Sequence, residues 1–122
     1  MPRARNRWER AVQVLRWIVH EFDLPEGIAI ELVPDIDNGK TFGHAIQRRS
    51  GRLVVQLSER ACRTYHDMVF NVMHEGAHLI LELTRGHDPG DDHDDWFWII
   101  FGRINRKYDR GGDEASRAFP VD

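Results

Sequence analysis

His74-Glu75-Gly76-Ala77-His78 is the stretch on which the reading of this chain turns. Residues i and i+4 of an α-helix lie one above the other on a single face. His74 and His78 can therefore aim two imidazoles at one point, a spacing that suits tetrahedral zinc at about 2.0–2.1 Å. Glu75 falls off the line joining the two histidines. Its carboxylate is placed to hold and deprotonate a water rather than to act as a third ligand. Five residues in this pattern also recur by chance, so the surrounding sequence carries the weight.

Ser58 is of a type that caps helix N-termini, and a helical region is expected from there to about Arg85, with a break near Thr64. Gly86 supplies a left-handed stop. A final helix is expected from about Asp92 to Tyr108, apolar at Phe97, Ile100, Phe101 and Ile104. A catalytic zinc needs a third protein ligand. His93, at the mouth of the last helix, would return to His74 and His78 if the two helices pack antiparallel, and it is favoured. His87, in the turn after the first of them, and the carboxylates of Asp91, Asp92 and Asp94 are the alternatives.

Upstream, Asn6 followed by Glu9 resembles a capping box. Trp8, Ala11, Val12, Leu15, Ile18, Val19 and Phe22 then recur at helical spacing until Pro25 and Gly27. Alternation predicts a first strand over 28–33. After the Asp37-Asn38-Gly39 turn, a second is expected over 41–47, with Phe42, His44 and Ile46 on one face. A third carries Leu53, Val55 and Leu57 on one face. The expected architecture is α+β: an N-terminal helix, a three-stranded sheet, the helix bearing the two histidines and a C-terminal helix. One domain is expected over 1–110, and the Gly111-Gly112 pair suggests a loose tail over 111–122.

The segment from His74 to Asn105 resembles the SprT-like zinc metallopeptidases. Their pattern pairs HExxH with a later histidine followed four residues on by an aromatic. Here that histidine is His93, in His93-Asp94-Asp95-Trp96-Phe97, with Asp94 standing where the pattern has glycine. Leu53-Val54-Val55-Gln56-Leu57-Ser58-Glu59 is similar to the strand that leads into the family's active-site helix. The resemblance covers roughly residues 40–106. It implies a minimal zincin-like fold with zinc on His74, His78 and His93, and Glu75 as general base. It also implies a protein or peptide substrate. The family includes a protease of DNA–protein crosslinks, so proteins associated with DNA are among the expected substrates, although the chain shows no cysteine-rich zinc ribbon.

Composition narrows the remaining classes. The 122 residues carry 17 Lys and Arg against 20 Asp and Glu, for a formal net charge of −3, which by itself neither requires nor excludes nucleic acid. Cys62, the lone cysteine, cannot form an intramolecular disulfide and fits a reducing compartment. No apolar run approaches the roughly 20 residues of a membrane span. Arg16 and His20 interrupt the first apolar stretch, which argues against a secretory signal, so a cytoplasmic protein without a membrane partner is expected.

Several residues have a plain structural reading. The N-terminal arginines, among them Arg10 and Arg16, suit a solvated helix face and tail, and His20 and His66 suit solvated or satisfied helix positions. His44 suits either a packed core site or the wall of a cleft. Tyr108, Tyr65 and His44 are candidate donors to a developing oxyanion, and the strand near 41–47 is a candidate edge for pairing with an extended peptide. The rival to an enzyme is a zinc-stabilised module that binds nucleic acid or protein, in which metal affinity serves as folding energy.

Overall fold

The computed structural model describes residues 6–86 and 93–121. Helix α1 (Arg7–Glu21) starts where Asn6, in extended backbone, accepts a 2.9 Å hydrogen bond from the Glu9 amide through its side chain. Its buried face carries Ala11, Val14, Leu15, Trp17 and Ile18. Strands β1 (Ala29–Val33), β2 (Gly43–Gln47) and β3 (Leu53–Ser58) form one mixed sheet in the order β1-β3-β2. β3 pairs parallel with β1 and antiparallel with β2, which leaves β1 and β2 as the edges of the sheet.

The faces of the sheet follow from that register. Ala45 lies opposite Val55 and is buried with it, so Gly43, Ala45 and Gln47 look toward the helices. Phe42, His44 and Ile46 share a face as expected, but it is the outer one. There Glu31, Gln56 and His44 form a polar row across the three strands: His44 Nε2 lies 2.7 Å from Gln56 Oε1, and Gln56 Nε2 donates to Glu31 Oε1 at 2.9 Å. His44 is thus satisfied by a neighbouring strand and belongs neither to the core nor to the side that faces His74 and His78.

Helix α2 (Tyr65–Arg85) begins at Thr64, whose hydroxyl accepts from the Asp67 amide at 3.0 Å. Ser58 is not its cap. That hydroxyl accepts from the Ala61 amide at 3.2 Å within a short turn, because Ser58 is still paired in β3 as its last residue. Gly86, at φ 76°, closes α2 in the left-handed conformation, with its amide donating to the Glu82 carbonyl. Helix α3 (Asp95–Lys107) starts three residues later than expected, behind the cap of Asp94. The core lies where α1, α2 and α3 meet the inner face of the sheet, and includes Leu15, Ile18, Val55, Leu57, Met68, Leu79, Phe97 and Ile104.

The expected loose tail is not loose over its described residues. A π-helical turn over Tyr108–Gly112 leads into α4 (Asp113–Ser116), which returns to α1. Gly111, at φ 130°, makes the turn, and Gly112 is buried against the Trp17 ring, where no larger residue fits. Arg10, expected on a solvated face, is instead 3% exposed. Its guanidinium donates to Asp113 Oδ1 at 2.6 Å, to the Tyr108 hydroxyl at 3.1 Å and to Gln13 Oε1 at 3.2 Å. Farther along, Gln13 donates to the carbonyls of Arg117 and Phe119, and Arg16 to that of Pro120. Among the described residues no helix is long and apolar enough to cross a membrane.

Candidate metal centre

α2 presents His74 and His78 on one stripe, one turn apart, with ring centroids separated by 5.1 Å. The start of α3 brings His93 across to them, 4.7 Å from His74 and 5.0 Å from His78 between centroids. One ligand nitrogen from each residue lies within 4.8 Å of the other two, and the Nε2 atoms of His78 and His93 are 3.2 Å apart. Tetrahedral bonds of about 2.0–2.1 Å place two ligand nitrogens roughly 3.3–3.4 Å from one another. Three imidazoles so gathered are close enough to hold a metal ion.

The position of His93 is built locally. Asp94 takes extended backbone at φ −79° and accepts from the Phe97 amide at 3.0 Å, capping α3. That φ is ordinary for any L-residue, so the aspartate sits without strain where the resembled pattern has glycine. One turn into α3, Phe97 is fully buried, with its ring 4.9, 4.6 and 4.3 Å from those of His74, His78 and His93. It forms an apolar floor beneath all three. Phe101 continues the floor at 5.7 Å from His74. Of the neighbouring aromatics, Trp96 and Trp98 are exposed, and the Arg85 guanidinium lies 3.6 Å over the Trp96 ring.

Burial governs the electrostatics. It pushes His74 down to about 4, with the neighbouring His78 and His93 adding to the effect. The imidazole is therefore neutral at pH 7 with a lone pair to offer. Glu75, 5% exposed, is pushed up to about 8 by burial alone. Its Oε2 is 3.9 Å from His74 Nε2, but with the ring neutral and the carboxyl largely protonated at pH 7 this contact is not an ion pair. A cation held by the three imidazoles would favour the carboxylate and draw its pKa back down. Beside it lies β2: a Cβ added to Gly43 would sit 3.6 Å from Glu75 Cγ and 2.8 Å from the Gln56 carbonyl oxygen.

The four residues singled out in the sequence, His74, Glu75, His78 and His93, thus come together. Of the alternative ligands, Asp94 is engaged in the α3 cap, while His87, Asp91 and Asp92 lie outside the described residues. Tyr108 is committed elsewhere, donating to Asp113 Oδ1 at 2.7 Å. His44 is held by Gln56, and Tyr65 stands exposed at the first turn of α2. The placement of Gly43 against Glu75 went unread in the sequence, since a glycine opening a strand signals close approach without naming its neighbour. No family model, curated protein or solved structure matches the chain.

Proposed function

We propose that the chain is a zinc-dependent metallopeptidase in which His74, His78 and His93 hold the ion and Glu75 is the general base. The observation that carries this reading is the buried Glu75 carboxyl beside three converging imidazoles. When bound, zinc supplies a Lewis acid that polarises the scissile carbonyl and makes water nucleophilic near neutral pH. Imidazole nitrogen donors suit zinc, and the three that converge among the described residues would leave it an open position. Glu75 takes the proton from the attacking water and passes it to the leaving amine. Phe97 keeps water from beneath the rings and holds their orientation.

The edge strand β2 supports a polypeptide substrate. Gly43 faces Glu75, so an extended chain paired with that edge would pass beside the proposed general base. A purely structural zinc module would call for a fourth protein ligand and gives Glu75 no task. The test is Glu75→Gln in zinc-loaded protein: peptide hydrolysis is expected to fall by at least a thousandfold while one zinc per chain remains, on the order of the loss for a general base and its water. Wild-type rates in the Gln variant would remove the proposal.

A further inference from the structure

The histidine stripe of α2 does not begin at His74. Four-residue steps toward the N-terminus reach Phe70 and then His66, so both share the helix face of the metal ligands. There the first half of α2 and the segment from Asn105 to Arg117 bound a cavity of about 530 Å³, within the range of sites that enclose organic ligands. Val69 and Met73 lie nearly buried at its base, while Tyr65 and Phe70 stand 52% and 41% exposed at its rim. Phe70 meets Phe101 edge-on at 5.3 Å between centroids, and Phe101 in turn meets His74. A single ring separates the cavity from the first imidazole.

The charges around the cavity define what it takes. Arg10 is spent on Asp113, Tyr108 and Gln13, and Arg117 lies 3.4 Å from the same Asp113 carboxylate. An incoming anion would meet Asp113 and the exposed Asp109, and an incoming cation would meet Arg10 and Arg117. Two arginines and two aspartates line the cavity, so neither sign of charge prevails, whereas an uncharged apolar group finds Val69, Phe70 and Met73. Resting on the peptidase reading, we propose that this cavity receives a bulky neutral side chain of the substrate, of the Phe, Leu or Met class, close to the bond to be cut.

The test reads binding without metal or turnover. Full-length, metal-free protein with ¹³C-methyl methionine is titrated with the N-acetyl amides of phenylalanine, lysine and aspartate. The phenylalanine derivative is expected to shift the Met73 methyl resonance and saturate at millimolar concentration, leaving that of fully buried Met68 in place. The lysine and aspartate derivatives should shift Met73 at least fivefold less, and Phe70→Ala should weaken the phenylalanine response at least fivefold. Equal responses to all three, or none, overturn the pocket and leave the metal centre untouched. A selective response in a protein that cuts no peptide when zinc-loaded overturns the peptidase reading instead.

Discussion

Glu75 and Asp94 shape the centre in different ways, one through a buried proton and the other through a helix cap. The Glu75 carboxyl is held at about 8 in the metal-free protein against 4.5 for the free group. Between those values the native state keeps a proton that the unfolded chain has released, so stability falls as the pH rises through that window. In EDTA, Glu75→Gln is therefore expected to be more stable than wild type at pH 8.5, by roughly 2–4 kcal/mol after discounting for relaxation, with the difference vanishing near pH 4.5. His74 works in the other sense. Its pKa is depressed from 6.5 to about 4, so its contribution is complete above pH 6.5 and is lost as the pH falls toward 4. Urea titrations across pH check both, and a pH-independent gap between wild type and the Gln variant would contradict the burial argument. Asp94 acts through the cap it gives α3. Asp94→Ala is expected to cost about 1 kcal/mol of stability and to weaken zinc binding about tenfold, while Asp94→Asn, which can still cap, restores both.

Among the elements, periodicity made α1, α2, α3 and the inward face of β3 legible, because each buries one side against the same core. It missed where α2 starts, since Ser58 and Thr64 are both good caps and only pairing in β3 decides between them. The orientation of β2 was unreadable for a similar reason. Phe42 and Ile46 look like core residues, yet Ala45 takes the buried place opposite Val55, and a Cβ at Gly43 would meet the Gln56 carbonyl oxygen and the Leu57 side chain of β3 at 2.8 Å, so the small residues face inward and the larger ones outward. In the sequence the glycines at 111 and 112 read as slack, whereas one makes the turn and the other admits the Trp17 ring. Gly112→Ala is expected to destabilise by about 1–3 kcal/mol, because its Cβ would also lie 2.8 Å from the Lys107 carbonyl oxygen. Thermal melts that leave the variant level with wild type would argue against that packing.

Across the whole molecule, the return of α4 to α1 ties the end of the chain to its beginning through Arg10 and Asp113. Sequence reasoning could not find this pair, because two charges 103 positions apart show no periodicity. Asp113→Asn leaves the buried Arg10 guanidinium without its anion and is expected to cost about 2 kcal/mol, less than a fully buried pair because Asp113 is half exposed. Chemical denaturation measures that loss. His74 and His78 were legible as a pair from their spacing, and antiparallel packing of α2 and α3 brings His93 to them, so an ion held there would clamp two helices and raise the stability of the entire chain. The most direct test is zinc stoichiometry, with melting temperature, on wild type, His93→Ala and Glu75→Gln. About one zinc per chain and a raised melting temperature are expected for wild type and Glu75→Gln, with both lost in His93→Ala. Undiminished zinc binding by His93→Ala, or none by wild type, would contradict the three-histidine centre.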